Sequence, residues 1–312
     1  MNALRLLIFA ALAVAPLAAA QAPAGEARPA AECSQTSTGL VPLTDLGGKK
    51  RYHAQRGGLY PGGVNQPPRG YLKQGLAAAK RVRPMNGRVV LLSIGMSNTT
   101  QEFRALMKLA AGDSELDPEV KLVDGAIGGW DARRVARPAA GYWSAVDRRL
   151  AVEGSSPREV QVVWLKEAIS GEDRPFPVDA RALRTNLKAI AKILARRYPN
   201  LRLIYTSSNT YGGYAVTALN PEPAAYDSGF AVRWLVQDRM EGKLKGPWLG
   251  WGPYLWTDGT KGRADGFTWT CDDVRKDGTN PSPAGAAKVA RQLLQFFKSD
   301  PTTKTWFLAP TP

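Results

Sequence analysis

Ser97 follows an apolar run, Arg88 to Ile94, and precedes Thr99 and Thr100, which open a helical pattern. A serine on such a strand-to-helix turn lies beside backbone N–H groups left free at the helix start. Those groups can hold an oxyanion while the hydroxyl attacks a carbonyl carbon. A second turn, Asp124-Gly125-Ala126-Ile127-Gly128-Gly129, offers Gly129 as a further backbone donor. Hydroxyl attack also needs a base, and here the sequence is unusual: its only histidine is His53. Ahead of the last helical pattern stands Asp277-Gly278-Thr279-Asn280-Pro281-Ser282-Pro283-Ala284-Gly285, with a carboxylate and an amide but no imidazole. An amide can hold hydrogen-bond geometry, yet it takes up no proton near neutral pH. A helix-capping serine and a glycine turn with positive φ are the plain structural readings of the same residues.

These groups meet only if the intervening elements bring them together. Val120 to Val123, Val160 to Leu165 and Leu201 to Tyr205 read as further buried strands, and Trp248 to Trp251 as a last short one. Helical spacing recurs over Thr99 to Ala111, near Tyr142 to Val152, from Asp179 with that residue as N-cap, and over Phe230 to Met240. The closing helix has Ser282 as N-cap and Pro283 at its first position, with Val289, Leu293, Phe296 and Phe297 facing inward. Alternating strands and helices imply a parallel sheet covered on both faces, whose ligands lie beyond the carboxyl ends of its strands.

The order and spacing of the Ser97, Gly129 and Asp277 segments across 88–298 resemble the SGNH (GDSL-like) hydrolases. The wording GGLYPGG, LLSIGMSNTTQEF, LNPEP and GPYLW resembles a group of secreted bacterial proteins of unassigned role within that superfamily. The resemblance implies a three-layer α/β/α fold with a flavodoxin-like parallel sheet of about five strands. It implies an ester hydrolase that has acylated glycans among its candidate substrates, with Ser97 as nucleophile, Gly129 in the oxyanion hole and Asp277 orienting a base. Two departures stand out. Asn280 occupies the place of the family's histidine, and Ile169 falls where the family has an oxyanion-hole asparagine. Met96 also replaces the usual aspartate of the nucleophile segment. Only trace turnover is therefore expected, unless His53 reaches Ser97 from the N-terminal side.

Six aromatic residues, Trp248, Trp251, Tyr254, Trp256, Phe267 and Trp269, crowd the stretch before the Asp277 loop. They either pack a lid or form a saccharide platform. On the second reading Trp251, Tyr254 and Trp256, with Asn98, touch substrate, and the protein is a noncatalytic saccharide binder. Tyr211 to Tyr214 is a further rim candidate.

Residues 1–22 read as a secretory signal, with Arg5, an apolar stretch too short to span a bilayer, and Ala20-Gln21-Ala22 at the cleavage point. Residues 23–87 read as a Gly/Pro-rich arm packed on a domain over 88–300, with 301–312 as a tail. Export to the periplasm or beyond would permit a bridge between the two cysteines, Cys33 and Cys271. The net charge of +15 favours acidic partners such as anionic polysaccharide or lipid headgroups. No nucleic-acid motif, membrane span after the signal, cofactor signature or clustered metal ligands are found.

Overall fold

The computed structural model describes residues 31–171 and 173–310, so the signal expected over 1–22 lies outside the described residues. Five parallel strands make the central sheet: β1 (Val89–Gly95), β2 (Val120–Asp124), β3 (Val160–Lys166), β4 (Leu203–Thr206) and β5 (Trp248–Trp251). Their order is β2-β1-β3-β4-β5, the flavodoxin-like order. β1 and β3 are buried along their whole length, which is why they read as runs rather than as alternation. The longer helices are α1 (Arg69–Ala79), α2 (Ser97–Ala110), α3 (Gly141–Val152), α4 (Val178–Arg197), α5 (Ala224–Met240) and α6 (Pro283–Ser299).

The chain moves one way from β1 to β2 and the other way afterwards. Right-handed crossovers then put α2 on one face of the sheet and α3, α4 and α5 on the other. The closing helix α6 packs on α2, and α4 packs on α5, completing three α/β/α layers. Between β1 and β3 successive connections leave in opposite directions, so the loops there part and expose a crevice at the carboxyl edge.

Two helix starts need correction, and two segments carry helices that their sequence did not announce. The N-terminal arm contains a helix, α1, laid on β5 and β4; its Gly75 sits so close to the Trp248 ring that an added Cβ would stand 2.7 Å from it. α4 starts at Val178 without a side-chain cap, because Asp179 turns back to Arg174, accepting from its backbone N–H at 2.8 Å and its Nε at 2.6 Å. α5 begins at Ala224, well before Phe230; 13 of its residues are buried on every side, so no apolar stripe marks its start. The tail is also structured: a short helix, Lys304–Phe307, buries Trp306 and Phe307. By contrast α6 starts as its sequence implies, with Ser282 Oγ accepting from Gly285 N–H and Pro283 at the first turn.

The arm is tied down by a Cys33–Cys271 disulfide and by the aromatic loop itself. Trp251 Nε1 donates to the Leu59 carbonyl at 2.7 Å, Tyr211 OH to that of Gln35 at 2.6 Å, and Tyr226 OH to that of Val41 at 2.8 Å. Leu43 N–H donates to Tyr254 OH, and Asp258 accepts from Ser37 Oγ and from both N–H and Oγ1 of Thr38. No helix among the described residues is long and apolar enough to cross a membrane.

Candidate active site

At the carboxyl edge of β1 the chain turns directly into α2. Gly95 is required there by close approach: a Cβ would meet the Lys166 carbonyl and Thr99 Oγ1 at 2.3 Å each. The turn is fastened to its neighbours. Ile127 N–H donates to the Gly95 carbonyl, Thr99 Oγ1 to the Lys166 carbonyl at 2.9 Å, and Tyr142 OH accepts from Gly95 N–H while donating to the Gly125 carbonyl. Ser97 is thereby fixed at the first residue of α2, half-buried.

The loop before α6 returns to this point. Ser97 Oγ donates to Asn280 Oδ1 at 2.8 Å, and Asn280 Nδ2 donates to Asp277 Oδ2 at 2.7 Å. The other Asp277 oxygen accepts from the backbone N–H groups of Thr279 and Asn280 at 2.9 and 2.8 Å. Burial by itself would raise the Asp277 carboxyl. The Asn280 and Thr279 donors and the Arg275 charge outweigh it and hold the group below the usual carboxylate range. The loop's shape rests on Gly278 at φ 67°, where a Cβ would fall 1.6 Å from the Tyr214 carbonyl oxygen. Thr279 Oγ1 further ties it to the Leu219 carbonyl.

Donor and acceptor thus alternate from serine to amide to carboxylate, as they would through an imidazole. The amide makes one hydrogen bond to the serine and one to the carboxylate, the two partners that the ring nitrogens of an imidazole would have. It has no basic lone pair to receive the serine proton, so the chain holds geometry without a base.

On the other side of Ser97, Gly129 has φ 77° and lies in the same groove, its carbonyl accepting from Arg134. The N–H groups of Ser97 and Gly129 meet no acceptor among the described residues, leaving both available to an oxyanion. Ile169 is apolar and buried, so it offers no side-chain donor; the next residue, Ser170, lines the groove instead.

The remaining candidates are not brought here. His53 is exposed and stacks on Phe176 with ring centroids 5.2 Å apart, outside the residues lining the Ser97 groove. Asn98 is buried, with its Oδ1 accepting from Thr99 N–H. Trp251, Tyr254 and Trp256 are at most 4% exposed, and Tyr211 and Tyr214 at most 1%. Their polar tips are engaged by the arm, by Glu222 through Trp256 Nε1, and by the Trp269 carbonyl through Tyr214 OH. The saccharide platform is therefore corrected to packing. A larger groove, about 840 Å³, lies between α2 and α3, but its lining includes no hydroxyl paired to an acceptor.

Sequence reasoning missed Gln101 and Leu219. Gln101 Nε2 lies 3.4 Å from Asn280 Oδ1, and its position four residues after Ser97, on one helix face, was the available signal. Leu219, on the long loop after β4, opens the LNPEP segment, but nothing in its residue type marked it as part of the site.

Just after β3, Glu167 is buried, and its carboxylate makes no well-formed hydrogen bond among the described residues, only a weak approach to the adjacent Ala168 N–H. Burial pushes its carboxyl well above the usual range. A raised native value gives stability that is full below the unfolded value, ~4.3, and lost as pH climbs toward the native one. Glu167→Gln is expected to raise the melting temperature at about pH 8 and to leave it nearly unchanged at about pH 4. Equal shifts at both would contradict a protonated native Glu167.

No family model matches the chain, and no curated protein matches it. Among solved structures the chain is similar to an acetylxylan esterase from Geobacillus stearothermophilus, at 17% identity and a TM-score of 0.41, over 68% of this chain and 95% of that one. It is also similar to the periplasmic domain of a lipopolysaccharide acetyltransferase from Salmonella ser. Paratyphi A, at 12% identity and a TM-score of 0.40, over 72% of this chain and 94% of that one. The strands themselves establish a flavodoxin-like three-layer α/β/α fold, with a Ser97–Asn280–Asp277 chain at the point where its strand order reverses.

Proposed function

We propose that this chain is an SGNH-type acyl-ester hydrolase scaffold that still binds an ester at Ser97 but turns it over poorly, because Asn280 stands where the base belongs. The observation that carries the reading is the Ser97 Oγ to Asn280 Oδ1 hydrogen bond of 2.8 Å, continued to Asp277. Ser97 is the nucleophile position, the N–H groups of Ser97 and Gly129 face the developing oxyanion, and Asp277 anchors the amide. Attack would need the hydroxyl proton to leave as the C–O bond forms, and the acceptor that Ser97 Oγ meets, the Asn280 amide oxygen, is not basic. Loss of a triad histidine costs ~10⁶ in rate, while a remaining oxyanion hole and binding retain ~10³ to 10⁴ over water.

The Cys33–Cys271 bridge supports an oxidising compartment and thus export. The reading is tested by p-nitrophenyl acetate hydrolysis with the full chain and with Ser97→Ala. The two are expected to differ by less than about tenfold. Turnover that is rapid and lost with Ser97 would show that a base exists after all.

A further inference from the structure

Two adjoining hollows, one containing Ser97 and the other its partner Asn280, share Leu219 as a wall and form the two lobes of a groove whose free charges are of one sign. One lobe, about 390 Å³, includes Ser97, Gly129, Asp131, Arg133 and Arg134. The other, about 680 Å³, includes Gln101, Arg275, Lys276, Asp277 and Asn280, and Leu219 lines both. Four cations thus face two carboxylates, and the carboxylates are already engaged. Asp131 accepts from the backbone N–H groups of Arg134 and Ser170 and from Arg133 Nε, and Asp277 is held by Asn280 and Thr279.

Of the four cations only Arg133 has a carboxylate partner among the described residues. Arg134 holds the Gly129 carbonyl and lies 4.2 Å over the Trp130 ring. Arg275 donates through Nε to the Pro281 carbonyl, and Lys276 makes no hydrogen bond or ion pair with another described residue. All four side chains belong to exposed residues. Charges placed on both sides of a reactive hydroxyl select a ligand that carries charge at intervals along its length. A chain of acidic sugars has that property; a lipid with one headgroup does not.

We propose that the groove binds an extended, carboxylate-bearing saccharide, laid across Ser97 with acidic residues in both lobes. The proposal rests on the ester-binding reading of Ser97 and names its ligand class. Long-range attraction of this kind steers and discriminates, and it weakens as salt screens it.

The test is calorimetric titration of the full chain with tetragalacturonate, with neutral xylotetraose, and with vesicles of phosphatidylglycerol, at low and high salt. Tetragalacturonate is expected to bind at least about tenfold tighter than xylotetraose, with affinity falling as salt rises. Lys276→Glu, which breaks no internal contact, is expected to weaken it about fivefold or more. Lys192→Glu, exposed on α4 toward the opposite end of the sheet, is expected to leave it unchanged. Equal affinity for the acidic and neutral sugars overturns the proposal, as does an equal loss from Lys192→Glu, which would assign binding to the diffuse charge of +15. Vesicle binding that Lys276→Glu abolishes, without tetragalacturonate binding, also overturns it and assigns the groove to a lipid surface. The hydrolase reading fails separately, on turnover by Asn280→His. Binding that prefers acid, in a chain where that variant gains nothing, still upholds the ligand class.

Discussion

Asn280→His is expected to raise p-nitrophenyl acetate turnover by at least about a hundredfold, a fraction of the ~10⁶ that such a histidine supplies in an evolved triad. The hydrogen-bond partners are already on either side. Asn280 accepts from Ser97 Oγ and donates to Asp277, so an imidazole placed there finds a proton donor on one side and a carboxylate on the other. The Asp277 carboxyl, held below its ordinary range, is ionised at neutral pH and would stabilise the imidazolium formed as Ser97 attacks. Recovery is expected to stay partial: at Ile169, where the resemblance places a side-chain donor, the residue is apolar and buried, and losing such a donor costs ~10² to 10³ elsewhere. Adding Ser97→Ala to the variant is expected to return the rate to background. Activity that survives this change would arise at another site.

The largest stability effect is expected at Lys166. Its Nζ donates to both Glu102 oxygens, at 2.7 and 2.8 Å, and the two side chains are 0% and 1% exposed. The pair joins the end of β3 to the middle of α2, so it fixes the helix that carries Ser97 against the strand beside it. Burying two charges costs several kcal/mol each, which their attraction offsets only while both are present. Lys166→Met leaves Glu102 alone in the core and is expected to cost about 3–5 kcal/mol in denaturant unfolding. The deficit should shrink as pH falls, because a lone buried carboxyl with a raised value is stabilised by taking a proton. The double variant Glu102→Leu/Lys166→Met removes the orphaned charge and is expected to recover most of the loss. A single variant within about 1 kcal/mol of the parent would mean that the pair contributes no more than a surface bridge.

How much of this was legible follows from what each element must advertise. β1 and the start of α2 were plain because a fully buried strand reads as a run and a turn under close approach demands glycine. The Asp277 loop was legible because its Asx geometry, glycine and helix cap are all local. α1 was not: it packs small residues, Gly75, Ala78 and Ala79, against β5, so no large apolar stripe appears. α5 is buried all round and shows no period. The aromatic loop looked like a binding face because its partners are carbonyls of the arm, remote in sequence, and nothing local says that Trp251 will find Leu59. Arg133, Arg134, Arg275 and Lys276 were lost among 42 Lys and Arg residues until the fold placed them along one groove.

The account stands on the amide of Asn280 occupying a base's place beside a competent Ser97 hydroxyl. The most direct test is the intact mass of the chain after exposure to diisopropyl fluorophosphate, for the parent and for Asn280→His. The parent is expected to remain unmodified, and the variant to gain one phosphoryl adduct mapped to Ser97. Equal labelling of both at Ser97, or labelling of neither, would contradict it.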